Sequence, residues 1–281
     1  MDAAVRPTQF PAGPVTERLN VTSTGRPDGP VVLLAHGFGC DQGMWDGVLP
    51  YLAADHRVVR YDLMGAGRSD TSAYDPERYA ALDGHAADIL AICAELDLHD
   101  VTLVAHSVST MMAVIAAIEE PERFRQLVLV AANPYFMDDP VTGYSGGFST
   151  EDLAEVSAAL DSNYFTWAAA FAPVIMGTPD TPELGEQLTA SFCRVEPDIA
   201  RQLLRTMFTT DYRPLLPQVT TPTLLLHCRA DAMVPSSVAD HLHDRLPGST
   251  LVRLQAIGHC PHISAPEETA AAICAHLPSA R

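Results

Sequence analysis

The sequence of 281 residues contains no lysine, and all 17 of its basic residues are arginine. Its 35 aspartate and glutamate residues give a formal net charge of -18, with a pI of about 4.8. A surface with this excess of negative charge repels phosphate groups. The composition therefore argues against nucleic-acid binding, and we expect no nucleic-acid partner.

Long apolar segments and paired cysteines are also missing. No apolar run approaches the roughly 20 residues of a membrane-spanning helix, so no membrane contact is expected. The N-terminal stretch MDAAVRPTQFPAGP lacks the apolar centre of a signal peptide. The six cysteines form no C-x-x-C pair and no other spacing typical of metal ligands. These absences predict a soluble cytoplasmic protein with reduced thiols and no metal.

Strand and helix patterns alternate along two parts of the chain. Short apolar runs predict buried strands at 31–35, 57–62, 101–105, 126–131, 223–228 and 250–255, and residues 18–23 are a candidate first strand. Helical periodicity covers 85–96, 108–118, 236–246 and 266–277. Such alternation indicates a mainly parallel sheet joined by helical crossovers.

Residues 135–217 interrupt this alternation. They show no buried-strand pattern, and helical patterns cover about 150–160, 164–176, 182–194 and 197–208. Thr181 before Pro182 is typical of a helix start. We therefore expect a helical insertion at 135–217 in a core formed by 18–134 and 218–281, after a flexible tail at 1–17.

The segment LVAHSVST, residues 103–110, places Ser107 between a predicted strand and a predicted helix. This is where the nucleophile lies in a G-x-S-x-G turn, although Ala105 and Ser109 occupy the two glycine positions. Both residues are small, so the backbone can still pass close by. The alternative is that Ser107 is only the N-cap of a helix.

Two later strand ends supply the other groups that a nucleophilic serine needs. Asp231 follows the strand at 223–228, and His259 follows the strand at 250–255. The carboxyl ends of parallel strands lie at one edge of a sheet, where such folds place their sites. We therefore expect Ser107, Asp231 and His259 to converge as nucleophile, acid and base, in the chain order Ser, Asp, His.

Other histidines lie close to these positions in the sequence. His262 could replace His259, but Gly258 directly before His259 provides a turn that would aim the His259 ring. His106 precedes the serine and is expected to point away from it. We therefore favour His259 as the base and interpret His106 as structural.

The assignment of Asp231 as the acid has alternatives among the residues that follow the strand at 126–131. The first is Asn133, whose neutral amide cannot stabilise an imidazolium ion. Asp138 and Asp139 lie further along and are expected to be solvated. Asp231 therefore remains the favoured acid.

The motif His36-Gly37-Phe38-Gly39 follows the first buried strand. We expect the backbone N–H groups of Phe38 and Val108 to form an oxyanion hole, since the two glycines permit the necessary backbone path. Glycine pairs also make ordinary turns. The position of the motif, after a buried strand and before the turn that carries Ser107, favours the oxyanion hole over an ordinary turn.

Four motifs together, HGFG, DLMGAGRS, AHSVS and GHCPH, resemble the α/β-hydrolase superfamily. The runs HGFGCDQGMW and AYDPERYAALDG, with GHCPH, more narrowly resemble the RsbQ-like hydrolases, which are stress-signalling proteins of bacteria related to the plant strigolactone and karrikin receptors. The resemblance extends from about Arg18 to the C-terminus. It implies an α/β-hydrolase fold with a four-helix lid, a Ser107–His259–Asp231 triad and no cofactor.

We accordingly expect a serine hydrolase that cleaves a small apolar ester or lactone by acyl transfer. Alternatives are a signalling hydrolase that acts through a protein partner, and a carbon–carbon bond hydrolase. Ser109, where the family usually has glycine, is interpreted as a spacer. Aromatic residues of the insertion are expected to line an apolar pocket, with Phe136, Phe165, Trp167, Phe171 and Phe208 as candidates.

Overall fold

The computed structural model describes residues 13–277, so most of the predicted tail at 1–17 lies outside the described residues. The strands are β1 (Thr22–Gly25), β2 (Val31–Ala35), β3 (Arg57–Arg60), β4 (Val101–His106), β5 (Phe124–Val130), β6 (Thr223–Ala230) and β7 (Thr250–Ile257). The helices are α1 (Val15–Arg18), α2 (Leu49–Ala53), α3 (Leu82–Glu95), α4 (Ser109–Glu119), α5 (Thr150–Ser162), α6 (Tyr164–Met176), α7 (Pro182–Phe192), α8 (Pro197–Thr209), α9 (Ser236–Arg245), α10 (Pro261–Ser264) and α11 (Pro266–His276).

The seven strands form one sheet in the order β1-β3-β2-β4-β5-β6-β7. Only β1 is antiparallel to its neighbour, and the other pairs are parallel. All six residues of β4 are buried, as expected for a central parallel strand covered on both faces. Ala105 of β4 pairs with Ala35 of β2 and is fully buried, so alanine fits at the first glycine position of the nucleophile turn.

Helices α5 to α8 occupy the insertion between β5 and β6, and their bounds lie within two residues of those predicted from periodicity. Ser149 begins α5 with a capping box that includes Asp152. The Asn163 side chain accepts a hydrogen bond from the N–H of Thr166 at the start of α6. Thr181 is the N-cap residue of α7, but its side chain makes no capping bond.

The N-terminal part differs from the expectation. Residues 15–18 form helix α1, and β1 begins at Thr22 instead of Arg18. The cause is Glu95, whose carboxylate accepts hydrogen bonds from the N–H groups of Val15, at 2.7 Å, and Thr16, at 3.4 Å. A carboxylate at this end stabilises a helix because the free N–H groups carry partial positive charge. Residues 15–17 are therefore helical and not a flexible tail.

Within residues 13–277, no helix is both long enough and apolar enough to cross a bilayer.

Candidate active site

Ser107 occupies a strained turn between β4 and α4. Its φ is +54°, in the left-handed region that residues other than glycine rarely adopt. Two backbone bonds hold this conformation: the Ser107 N–H donates to the Val130 carbonyl at 2.9 Å, and the Ser107 carbonyl accepts from the Thr110 N–H at 2.9 Å. Strain of this kind costs on the order of 1–3 kcal/mol and is concentrated at functional sites.

The three predicted side chains converge at the carboxyl edge of the sheet. Nε2 of His259 lies 2.8 Å from Oγ of Ser107, and Nδ1 of His259 lies 2.9 Å from Oδ2 of Asp231. The side chains of Asp231 and His259 are almost completely buried. With Nδ1–H donating to the carboxylate, Nε2 is free to accept the serine proton.

Asp231 is stabilised as a carboxylate. Burial raises its pKa, but the neighbouring His259 and the bonds from His259 and the Met233 N–H outweigh burial, so the pKa lies below its usual value. The Met233 N–H donates to Oδ1 at 2.8 Å, and the Val234 N–H donates to the same atom at 3.2 Å. The acid is therefore charged at neutral pH and held in one orientation.

A glycine directs the loop that carries His259. Gly258 has φ +84°, and a Cβ at this position would overlap the backbone carbonyl of Met176. The Gly258 N–H donates to the Ala230 carbonyl at 2.8 Å, and the His259 N–H donates to the Ile175 carbonyl at 2.9 Å. The expected role of Gly258 as the turn before His259 agrees with this geometry.

His106 and His262 make other contacts, although His106 also reaches the cavity over Ser107. Nε2 of His106 donates to the His259 carbonyl at 2.8 Å. The His262 ring lies 4.4 Å from the rings of both Trp45 and His106, and neither of its nitrogens has a hydrogen-bond partner within residues 13–277. Burial lowers the pKa of His106 to about 3 and that of His262 well below 6.5, so both rings are neutral. His259, and not His262, hydrogen-bonds to Ser107.

The residues considered as alternatives to Asp231 make other contacts. Asn133 donates from Nδ2 to the Gly146 carbonyl at 2.9 Å, and its Oδ1 accepts from the Tyr144 hydroxyl at 2.9 Å. The expectation that Asp139 is solvated is wrong, because its carboxylate forms a partly buried ion pair with Arg213 at 2.9 Å. Both residues stabilise the chain after β5.

The HGFG loop passes directly beside the serine. A Cβ built on Gly37 would lie 3.3 Å from Cβ of Ser107 and 2.5 Å from Nδ1 of His106, so only glycine fits here. Phe38 follows in this loop, and Val108 directly follows the serine. The two N–H groups expected to form the oxyanion hole therefore belong to segments on either side of Ser107.

The HGFG loop is fixed through His36. Nδ1 of His36 donates to the Gly37 carbonyl, and Nε2 accepts from the Leu63 N–H, each at 2.9 Å. Burial lowers the pKa of His36, which keeps the ring neutral and allows Nε2 to accept. The hydroxyl of Ser109 donates to the His36 carbonyl at 2.5 Å. The spacer interpretation of Ser109 did not include this contact.

A narrow, mainly apolar cavity lies over Ser107. It offers about 20 Å³ to the centre of a water-sized sphere, close to the space that one water molecule needs. Of the described residues that line it, none is Asp, Glu or Arg. Besides Ser107, His106 and His259, the lining consists of Phe38, Cys40, Phe171, Ile175, Leu188, Phe192, Leu204, Met207, Met233 and Cys260.

Of the five aromatic residues predicted for the pocket, only Phe171 is among the residues found lining this cavity. Phe165 is 52% exposed on the outer side of α6. Phe136 and Phe208 are buried against each other, with ring centroids 5.5 Å apart. Trp167 packs behind Phe171, with ring centroids 4.9 Å apart. The prediction that these four residues line the pocket is therefore wrong: three of the rings pack elsewhere, and that of Phe165 is half-exposed.

Within the described residues, no group of three or more His, Cys, Asp or Glu side chains is arranged to hold a metal ion.

Comparison with known proteins identifies the class. Residues 32–272 match the alpha/beta hydrolase family, and the chain belongs to it. The chain is 39% identical to karrikin insensitive 2 receptor IA of Petunia hybrida, over 88% of this chain and 89% of that protein. It is 38% identical to strigolactone esterase D14 of Arabidopsis thaliana, over 94% and 98% of the two chains.

A solved structure supports the same class. A hydrolase from Oleispira antarctica superposes with a TM-score of 0.90 at 36% identity, over 93% of this chain and 95% of that chain. The resemblance to the α/β-hydrolase superfamily and the fold class, both inferred from the sequence, are thus confirmed. The protein is an α/β hydrolase of the esterase type.

Proposed function

We propose that this protein cleaves an uncharged ester or lactone with a small apolar acyl group, by acyl transfer through Ser107, His259 and Asp231. The observation that carries the proposal is the chain of contacts from Ser107 Oγ to His259 Nε2, at 2.8 Å, and from His259 Nδ1 to Asp231, at 2.9 Å. Nucleophile, base and orienting acid within hydrogen-bond reach are the requirement for this chemistry.

In the first step, Ser107 Oγ attacks the substrate carbonyl carbon while its proton passes to Nε2 of His259. The carbonyl oxygen becomes an oxyanion and accepts hydrogen bonds from the N–H groups of Phe38 and Val108. Such a donor contributes on the order of 3 kcal/mol. His259 then gives its proton to the departing oxygen, which leaves an acyl group on Ser107. Asp231 remains ionised and stabilises the imidazolium.

In the second step, water attacks the acyl group on Ser107. His259 takes one proton from this water, and the tetrahedral intermediate uses the same two backbone donors. Collapse of the intermediate returns the proton from His259 to Ser107 Oγ and releases the acid. In a lactone, the acid and the alcohol leave as one molecule.

The cavity supports the choice of substrate. Its walls are aromatic and aliphatic side chains and sulfur atoms, which favour an uncharged apolar group. Helices α6, α7 and α8 contribute to these walls through Phe171, Leu188 and Met207. Residues 135–217 thus act as a lid in this proposal. Because the cavity is narrow, we expect helices of the lid to move apart when a substrate enters.

The test compares Ser107→Ala with the parent protein on p-nitrophenyl acetate and p-nitrophenyl butyrate. We expect kcat to fall at least about 10³-fold, because the nucleophile is lost. Ser72→Ala is the control, since Ser72 is exposed and its hydroxyl donates to the nearby Asp70. The proposal fails if Ser107→Ala retains most of the activity.

A second candidate is a receptor hydrolase, in which ligand binding or slow turnover recruits a signalling protein. The similarity to the Petunia receptor over nearly 90% of both chains favours it. The two candidates differ in turnover. Either candidate can release a first equivalent of p-nitrophenol in a burst, so the rate after the burst is what differs: a metabolic esterase sustains fast steady-state turnover, whereas the receptor candidate turns over slowly. Stopped-flow measurement of p-nitrophenol release distinguishes them.

A further inference from the structure

Ser109 is the first residue of α4 and is completely buried. The N-cap of this helix is Val108, so the Ser109 hydroxyl is not the helix cap. It donates instead to the backbone carbonyl of His36, 2.5 Å away at the end of β2. The bond joins the nucleophile helix to the HGFG loop, which lies 73 residues earlier in the chain.

This bond acts on a short and otherwise well-fixed piece of backbone. The His36 ring is held at both nitrogens, by the Gly37 carbonyl and the Leu63 N–H. The Ser109 bond adds a third hydrogen bond to His36, which its backbone carbonyl accepts. Phe38 follows two residues later, so the direction of its N–H depends on the peptide planes that these bonds orient.

The other side of the loop is held by the insertion. The Phe38 ring packs edge-on against Phe192, with centroids 5.4 Å apart, and against Trp167, at 6.2 Å. These apolar contacts fix the side chain.

The peptide that carries the Phe38 N–H is held through the Gly37 carbonyl, which accepts from Nδ1 of His36 at 2.9 Å and from the Cys40 N–H at 3.3 Å. The Ser109 bond restrains the preceding peptide, between His36 and Gly37, because a hydrogen bond is directional.

We propose that Ser109 is a positioning residue, whose hydroxyl holds the segment from His36 to Phe38 so that the Phe38 N–H meets the oxyanion. The inference rests on the proposed function and names an additional part of its site. An oxyanion donor acts on charge that develops in the transition state, so its misplacement lowers kcat more than it raises KM.

The experiment uses Ser109→Ala, with Ser109→Gly as a second variant that also removes the hydroxyl and leaves no added bulk. On p-nitrophenyl butyrate we expect kcat to fall about tenfold with KM changed less than about twofold, a fraction of the loss for removing a whole donor. Butylboronic acid, which forms a tetrahedral adduct with a reactive serine, should lose affinity by the same factor.

Ser69→Ala is the matched control. The Ser69 hydroxyl is also buried and donates to a backbone carbonyl, that of Ala66 at 2.7 Å, but in a turn that contains none of the proposed catalytic groups. It also accepts from the Gly65 N–H at 3.0 Å. Because each buried hydrogen bond contributes about 1 kcal/mol, we expect Ser69→Ala to lose at least as much thermal stability as Ser109→Ala and to keep its kcat.

The outcomes separate the two proposals. The positioning role is overturned if either Ser109 variant keeps the parent kcat and boronate affinity, or if Ser69→Ala loses as much kcat as Ser109→Ala. Loss of kcat and boronate affinity in the Ser109 variants alone supports it. If Ser107→Ala hydrolyses the ester as fast as the parent, the proposed function itself has failed.

Discussion

The backbone N–H of His259 donates a hydrogen bond to the carbonyl of Ile175, 2.9 Å away. Ile175 belongs to the last turn of α6, in the insertion, whereas His259 lies in the loop after β7. A Cβ on Gly177, which ends α6, would lie only 2.8 Å from Cα of Gly258. The loop with the imidazole is thus bonded directly to the insertion, and a displacement of the end of α6 displaces the base.

Gly258→Ala should disrupt this junction. The new methyl group adds left-handed strain and overlaps the Met176 carbonyl, so we expect a loss of about 3 kcal/mol in the free energy of unfolding and a large fall in kcat. Gly248→Ala is the control, because Gly248 also has a positive φ, +67°, but has open space around it. Denaturant unfolding and ester hydrolysis measure both effects. Equal losses in the two variants would contradict the account.

Asp231→Asn should leave the fold intact and lower kcat strongly. The amide can still accept a hydrogen bond, but it carries no charge to stabilise the imidazolium, so kcat should fall about 10³–10⁴-fold. Asp139→Asn removes the charge of another carboxylate in an ion pair, that with Arg213, and should leave kcat unchanged. A kcat for Asp231→Asn within tenfold of the parent would show that another acid serves His259.

Buried neutral histidines should make the protein sensitive to acid. Burial lowers the pKa of His85 to about 3, so between pH 6.5 and 3 the unfolded chain binds a proton that the folded chain does not. Stability is fully present above pH 6.5 and falls as the pH decreases, by up to about 1.4 kcal/mol per pH unit for such a group. We expect Tm to fall steadily from pH 7 to pH 4.5.

His85→Gln removes one of these groups. Its Tm should depend less steeply on pH than that of the parent, whatever its absolute stability. His99→Gln is the control, since His99 is exposed and its ring hydrogen-bonds to the nearby Asp97. Thermal unfolding followed by circular dichroism gives the slopes. Identical slopes for the parent and His85→Gln would mean that His85 is not buried as a neutral ring.

Phe171→Ala should change the preference for acyl chain length. Removing this ring from the cavity wall makes room, so kcat/KM for p-nitrophenyl hexanoate should rise relative to acetate by about 10-fold, the effect of a few methylene groups. Phe165→Ala is the matched control on the same helix, because Phe165 is exposed and lies outside the cavity. The same ratio for both variants would place the acyl group elsewhere.

Much of the fold and of the site follows from local sequence patterns. The run Val31–Ala35 is wholly apolar and is a strand, and the insertion helices begin where their patterns begin. Strand ends predicted that Ser107, Asp231 and His259 meet, because parallel strands share one carboxyl edge. These features depend on residues close to each other in the chain or on a rule of sheet topology.

The cavity lining and the contact of Ser109 depend on packing between distant elements. Cys40, Leu204 and Met233 come from three separate segments, and no pattern in any one of them indicates a shared cavity. Phe208 and Phe165 both lie on helices of the insertion, yet one is buried and the other is 52% exposed. The Ser109 bond joins two residues 73 positions apart, which periodicity cannot connect.

The most direct test of the account is to label the nucleophile covalently with a probe whose phosphorus is attacked by the serine Oγ while fluoride leaves. The protein is incubated with a fluorophosphonate probe, which labels an activated serine nucleophile, then digested and analysed by mass spectrometry. We predict one adduct per chain, on Ser107, and none in Asp231→Asn on the same time scale because the imidazolium of His259 is no longer stabilised. An adduct on another residue, or no adduct on the folded parent protein, would contradict the assignment of Ser107 as the nucleophile.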